Sequence, residues 1–474
     1  MSLTDLPVVI QGGMGVAVSS WRLAKAVSKE GQLGVVSGTA LDVVIARRLQ
    51  DGDAGGDIRR ALAHFPDPEM AARILDRYFY DGGREPGQPY RPVPKLTLHQ
   101  NAAVQELAVV SNFVEVWLAK EGHPGVVGIN FLEKIQMATP CAALGAILAG
   151  VDYVLMGAGV PRQIPQLLTD LAAGRTGGVD VDVLGADEPY RVEVDPAQLL
   201  AVSPTPTMRR PKFLAIISAA VLATYLARDE TTRPDGFVIE GPIAGGHNAP
   251  PRGRMVLDEH DEPVYGPRDD VDLTTIAALG IPFWLAGAYG SPGRVAEARA
   301  AGAAGVQVGT LFALSEESGI SDEVRDEVRE QLAAGTLAVR TEAHASPTGF
   351  PFKVAQVAES LADQQVYEAR PRQCDLSYLR TPYLAESGDV GYRCASEPVH
   401  MYLRKGGAIE DTVGRKCLCN GLTANVGLGQ TRRDGYVEPP LVTLGSNLEG
   451  VHALAELYPA GWHAADVVDW LLDS

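Results

Sequence analysis

The stretch Pro282-Phe283-Trp284-Leu285-Ala286-Gly287-Ala288-Tyr289-Gly290-Ser291 runs into an alanine-rich segment, Pro292 to Ala301, and then into Gly305-Val306-Gln307-Val308-Gly309-Thr310-Leu311-Phe312. It reads as strand, helix, strand. Pro282 to Ala286 is a short apolar run of the kind buried in a parallel sheet. Pro292 stands where a helix begins, because its missing N–H costs nothing in the first turn. Val306 to Val308 is the next apolar run. Two strands joined by a helix make the unit of a parallel sheet.

The same rhythm extends towards the N-terminus. Strand-like runs occur at Pro7 to Ile10, Leu33 to Ser37, Val126 to Phe131, Tyr153 to Met156, Phe213 to Ser218 and Phe237 to Glu240. Helical segments alternate with them: Ser19 or Ser20 to about Glu30, Leu41 to Gln50, Ala102 to Lys120, Ala138 to Ala149, Gln163 to Ala173, Ala219 to Arg228 and Leu273 to Leu279. Residues 51–100 and 174–210 interrupt the alternation and read as insertions. Roughly eight strand–helix units predict an α/β fold, a (β/α)8 TIM barrel over residues 1–340; an open doubly wound sheet is the alternative. After Arg340 the rhythm stops, so 341–474 reads as a mixed, cysteine-containing C-terminal extension.

Composition narrows the function. Of 474 residues 46% are hydrophobic, enough for a sizeable core. The formal charge of −18 argues against nucleic acid or an anionic membrane as partner. No apolar run in the sequence approaches bilayer length, and the first residues show no secretory signal, so a cytoplasmic location is expected. Four of the five cysteines, Cys374, Cys394, Cys417 and Cys419, crowd the last quarter. They are compatible with buried thiols, zinc or an iron–sulfur cluster, but Cys417-Leu418-Cys419 lacks the usual ligand spacing, and no residue is assigned to a metal.

The chemistry-bearing motifs sit at strand ends. Ile239-Glu240-Gly241-Pro242-Ile243-Ala244-Gly245-Gly246-His247-Asn248 ends a strand in a glycine turn and a histidine. Gly245 and Gly246 let backbone approach a ligand, and a histidine titrating near neutrality is suited to move a proton. Ala286, Gly287 and Ala288, together with Gly309 and Thr310, lie where barrels bind phosphate on backbone N–H groups. Gln11-Gly12-Gly13-Met14-Gly15 forms a third glycine loop, with Met14 as an apolar contact. Asn130 offers an amide at another strand end, and Ser37-Gly38-Thr39 is the weakest candidate. Each is also compatible with an ordinary turn. Together, on one face of a barrel, they suit a flat ring with a phosphate tail, the shape of FMN. No Gly-x-Gly-x-x-Gly fingerprint opens a first βα unit, which disfavours a Rossmann site. Pro250 to Pro267 reads as a loop over the site.

Several of these motifs resemble the nitronate monooxygenase family, formerly the 2-nitropropane dioxygenases. They are Val9-Ile10-Gln11-Gly12-Gly13-Met14, Ala244-Gly245-Gly246-His247, Ala286-Gly287, and Gly305 to Phe312 with Gln307. The resemblance spans about residues 7–320. It implies an FMN barrel in which His247 takes the α-proton of a nitroalkane, and in which an alkyl nitronate and O2 give a carbonyl compound and nitrite. The segment Ser346-Pro347-Thr348-Gly349-Phe350-Pro351-Phe352-Lys353 is similar to the enoyl reductase branch of polyunsaturated fatty acid and polyketide synthesis, which implies NAD(P)H and an enoyl thioester instead. A non-catalytic flavin-binding partner module is a third expectation, and a homo-oligomer is left open. Two places depart from the family: Asn248-Ala249-Pro250-Pro251-Arg252-Gly253 after the histidine, and Ile243 where an acidic residue is usual.

Overall fold

The computed structural model describes residues 6–202 and 207–473. Its centre is a sheet of eight parallel strands. In chain order these are β1 (Val9–Gln11), β2 (Gly34–Ser37), β3 (Val127–Leu132), β4 (Tyr153–Gly157), β5 (Lys212–Ile217), β6 (Gly236–Glu240), β7 (Phe283–Ala286) and β8 (Gly305–Val308). Each strand from β2 to β8 pairs with the next, and β8 pairs with β1. Leu33, just before β2, bridges Ile10 and closes the ring. Gln11 N–H donates to the Leu33 carbonyl at 2.9 Å, and Leu33 N–H to the Val9 carbonyl at 3.1 Å. The barrel expected from the alternation is therefore present, and an open sheet is excluded.

The strands alternate as the pleat requires. Ile10, Val35, Leu155, Leu214, Val238 and Trp284 fill the lumen, whereas Val9, Val36, Val154, Phe213, Phe237 and Ile239 pack under the outer helices. Trp284 plugs the floor, its indole N–H bonded to the Pro7 carbonyl at 2.8 Å. Glu240 follows Val238 by two residues and Asn130 follows Gly128 by two, so both carry polar groups to the top of the lumen. Gln307 pairs with Ile10 on one side and Ala286 on the other, in the same layer.

The insertions have their own structure. Residues 51–101 lie between two helices of the barrel wall, Leu41–Gln50 and Ala102–Lys120, and contain the helices Asp57–Leu62 and Pro68–Tyr78. Ala102–Lys120 is long and apolar enough to cross a membrane, unlike what the sequence reading allowed, but 72% of its apolar window is buried, largely against Thr139–Leu148. The second insertion contains an antiparallel hairpin, Gly177–Val181 with Tyr190–Val194.

The extension is knitted into the barrel. β8 is followed directly by a four-residue helix, Thr310–Ala313, and then by the helix Asp322–Ala333. The C-terminal helix Ala464–Leu472 contacts both Trp21–Lys29 and Pro292–Ala300, the helices flanking the place of an eighth outer helix. It buries Ala464, Val467, Val468 and Leu471 there, and the Trp462 indole N–H reaches the Leu311 carbonyl at 2.8 Å. The strand Val339–Glu342 crosses the boundary expected at 340 and pairs with Phe352–Ala355. Residues 341–473 thus complete the barrel they follow.

Candidate active site

A cavity of about 260 Å³ opens at the carboxyl ends of the strands. Every site residue expected from the sequence lines it: Gly12, Gly13, Met14, Asn130, Gly245, Gly246, His247, Ala286, Gly287, Ala288, Gln307, Gly309 and Thr310. Thr39, from the weakest motif, lines it as well.

The wall made by Gly12–Gly15 is fixed by its own neighbours. The Gln11 side chain donates to Ser19 Oγ at 2.8 Å and accepts from Val35 N–H at 3.0 Å. Ser19 Oγ also lies 2.8 Å from the Gly12 carbonyl and accepts Met14 N–H at 2.9 Å. Ser37 Oγ bonds the Gly15 carbonyl. Gly13 passes so close to β3 that an added Cβ would lie 2.3 Å from Asn130 Cβ. That approach lets Asn130 Nδ2 donate to the Gly13 carbonyl at 3.0 Å.

The opposite wall is the histidine turn. Gly246 has a positive φ of 81° and donates its N–H to Thr443 Oγ1 at 2.9 Å. Lys353 N–H donates to the Gly246 carbonyl, and Asn248 N–H to the Pro351 carbonyl, both at 2.9 Å. The His247 ring meets Phe352 edge-on, with centroids 4.9 Å apart, and its Nε2 lies 2.8 Å from Ser346 Oγ. Ser346 Oγ is 2.7 Å from Thr348 Oγ1. The ring faces the cavity rather than bulk water, so desolvation, helped by the positive Lys134, pushes its pKa down to about 3. The near-neutral titration expected from sequence is not retained; at pH 7 the imidazole is uncharged.

The third wall could receive an anion. Gly287 takes φ 84° and Ala288 φ 65°, turning the chain from β7 towards the helix Pro292–Ala300. Ser291, its N-cap, makes no side-chain cap bond, so the first turn keeps free N–H donors. Thr310 Oγ1 accepts Gly445 N–H at 2.9 Å, which brings the tail over this end. Two acceptors remain without a partner in the cavity region among the described residues, Asn130 Oδ1 and Gln307 Oε1. Buried acceptors without partners are costly, and the ring N–H of a flat heterocycle would satisfy one. The residues present therefore fit a flat ring over Asn130 and Gln307, with a phosphate near Gly287 and Gly309.

The sequence reading gave no part of the lining to the tail. Tyr378, Leu379, Leu418, Cys419, Leu422, Thr443, Leu444 and Gly445 all come from the tail. No local pattern marks them, because they reach the cavity only through the tail's path. Glu240 was quoted but given no role, although its phase with Val238 was readable. It has no hydrogen bond or ion pair among the described residues, and burial raises its carboxyl to about 7. Burial also holds Cys394, Cys417 and Cys419 in the thiol form. Among the described residues no group of three or more His, Cys, Asp or Glu is placed to hold a metal ion.

Comparison with known proteins finds one family model and several more distant likenesses. A curated relative from Rhodococcus jostii, (3aS,4S,5R,7aS)-5-hydroxy-7a-methyl-1-oxo-octahydro-1H-indene-4-carboxyl-CoA dehydrogenase, is 25% identical over 158 residues, which is 32% of this chain and 40% of that relative's length. Similar solved structures include FabK from Thermotoga maritima, at 15% identity over 99% of this chain and 93% of that chain with a TM-score of 0.46. Nitroalkane oxidase from Streptomyces ansochromogenes shows 14% identity over 99% and 96%, with a TM-score of 0.46. The enoyl reductase domain of MlnA from Bacillus amyloliquefaciens shows 10% identity over 98% and 94%, with a TM-score of 0.47. The barrel itself is established by its strand order. Residues 203–348, which carry β5 to β8 and the His247 turn, match the family model of nitronate monooxygenase, the family that the sequence motifs resemble.

Proposed function

We propose that this chain is an FMN-dependent oxidoreductase that oxidises alkyl nitronates with O2 to a carbonyl compound and nitrite. The observation that carries the reading is the placing of His247 across one cavity from a glycine cradle and two unpartnered acceptors, Asn130 Oδ1 and Gln307 Oε1. A bound flavin supplies the electron acceptance that no side chain here provides. Asn130 and Gln307 would hold the ring, and Gly287, Ala288, Gly309 and Thr310 the phosphate. His247, uncharged at neutral pH, can accept a proton from substrate lying against its face; Ser346 fixes the ring orientation. The roofing tail excludes water, which strengthens every charge interaction inside.

A second reading is an enoyl reductase using NAD(P)H. It is favoured by the way the Ser346–Lys353 segment, similar to that branch, braces His247. Both readings place the protein in the cytoplasm with a small-molecule substrate. The test is the absorption spectrum of the purified protein, followed by oxygen uptake with ethyl nitronate and NADPH oxidation with an enoyl thioester. Yellow protein that consumes O2 with nitronate supports the first reading. NADPH turnover without nitronate activity moves the assignment to the second. Flavin without either turnover leaves a binding module, and colourless protein that does not take up FMN sinks all three.

A further inference from the structure

A second cavity, of about 250 Å³, lies behind the histidine turn. Ala158, Ile216, Glu240 and His247 line both cavities and form the partition between them. On the far side, Val160 and Leu222 also line a surface groove of about 670 Å³. The three spaces therefore follow one another, from the ring site past His247 to solvent. Residues 157–160 touch all three in turn. Within them Ala158 takes φ 61°, in the left-handed region that favours glycine, and such strain gathers at functional sites.

The second cavity is walled largely by apolar groups, among them Val160, Ile216, Ile217, Leu222, Pro242 and Phe350. Outside it the apolar surface continues. Val160, Val221 and Tyr225 stay exposed, and all three line the groove. Val221 and Tyr225 stand four residues apart on the helix Ala220–Ala227, so they share one face of it. An exposed apolar strip that runs into a cavity beside a candidate catalytic histidine marks a path for a ligand.

The charged groups around the second cavity are set against an anion. Arg252 spends its guanidinium on the carbonyls of Arg268 and Ser218, at 2.5 and 2.7 Å, and its backbone N–H on Asp269. Lys134 Nζ covers the Phe350 ring, 3.4 Å from its centroid, and is not among the residues that line the cavity. Glu240 and Asp269 put carboxyl groups on the wall. A carboxylate entering here meets like charge and loses its hydration. Tyr265 spends its hydroxyl on the Ala249 carbonyl at 3.0 Å. Asn248 Oδ1, an acceptor without a partner among the described residues, belongs to the residue next to His247, at the reacting end.

We propose that the substrate carries a long, uncharged alkyl chain. Its reacting end lies at His247, its chain fills the second cavity, and the chain leaves through the groove past Val160 and Leu222. The proposal rests on the oxidoreductase reading above and narrows it to apolar, long-chain substrates. Short substrates leave the second cavity unfilled, and carboxylate-ended ones set a charge against Glu240.

The test measures oxygen uptake by flavin-loaded wild type with ethyl, butyl, hexyl and octyl nitronate, and with a hexyl nitronate that ends in a carboxylate. kcat/KM should rise about fourfold per added methylene, the gain from burying one. The carboxylate-ended compound should fall back to the level of ethyl nitronate or below. Val160→Glu, at an exposed position that tolerates the change, is expected to lower the octyl-to-ethyl ratio of kcat/KM at least about tenfold, and Leu222→Glu should do the same. A flat series in wild type, a carboxylate-ended compound that matches hexyl nitronate, or a ratio that both variants leave unchanged overturns the proposal. Calorimetry of the purified protein with 1-butanol and 1-octanol gives a readout without turnover. Octanol should bind wild type at least about tenfold more tightly than butanol and lose that margin in Val160→Glu. If no nitronate is oxidised, the oxidoreductase reading falls by itself. The alcohols then still decide the chamber: no margin in wild type, or one that Val160→Glu keeps, overturns it.

Discussion

Two glycine turns face each other across the cavity, and they are held in opposite ways. The Gly12–Gly15 loop is fixed mainly by near residues, Gln11, Ser19, Val35 and Ser37, with Asn130 and Val308 joining it from neighbouring strands of the barrel. The Gly245–His247 turn is fixed by Ser346, Pro351, Lys353, Thr443 and Leu444, up to about two hundred residues away. Each turn does the same work, exposing backbone to a ligand at a strand end. The first is held by its own βα unit and by the strands beside it, all parts of the barrel. The second exists only once the tail has crossed the top of the barrel. The candidate catalytic histidine thus sits on the wall that depends on long-range order.

The largest expected effect breaks the remote support outright. Deleting residues 463–474 removes the C-terminal helix and bares the faces that Val467, Val468 and Leu471 cover. At about 1.5–3 kcal/mol per large buried side chain, the loss rivals the ~5–15 kcal/mol net stability of a domain. Thermal melting and circular dichroism should show an unfolded or aggregating protein. A variant that melts like wild type would show that the tail is an appendage.

Next comes His247→Ala. Under the proposed function, turnover of neutral nitroalkane should fall about 10²- to 10⁴-fold, with preformed nitronate less affected. The local wall is probed by Gly13→Ala. Its new Cβ collides with Asn130 at 2.3 Å, an overpacking that costs typically ~1–3 kcal/mol and displaces an acceptor of the cavity. FMN affinity should fall more than melting temperature. Unchanged affinity, measured by fluorescence quenching, would remove Asn130 from the ring site.

Smaller effects separate the two walls further. Ser346→Ala frees the His247 ring and should lower kcat with little change in KM. Ser19→Ala leaves Met14 N–H and the Gln11 amide without their shared partner, at about 1–3 kcal/mol, and should weaken flavin binding instead. The smallest effect is a pH dependence of stability. The unfolded chain protonates His247 below about 6.5, whereas the folded ring resists until about 3. Stability from this group is therefore full above 6.5 and is lost as pH falls through that window. Glu240 has the opposite sense: its raised carboxyl, at about 7, lowers stability as pH rises from 4.5 to 7. Acid and alkaline melts of His247→Gln and Glu240→Gln should flatten these opposite slopes.

The sequence alone determined the barrel and the glycine loops at its mouth. Strand periodicity, proline at helix starts and glycine at strand ends are local rules, so β1 to β8 and the residues Gly12 to Met14, Gly287 and Gly309 could be read directly. The phase of Glu240 was also legible, one pleat beyond Val238, although its role depended on what surrounds it. Only the tertiary structure decided three things. The tail supplies the eighth outer helix and the cavity roof. His247 loses its near-neutral titration. Ala158, Ile216, Glu240 and His247 become one wall between two cavities. The physical reason is common to all three: burial, and with it pKa and packing, depends on which distant segments arrive. No local periodicity encodes an encounter between Gly246 and Thr443.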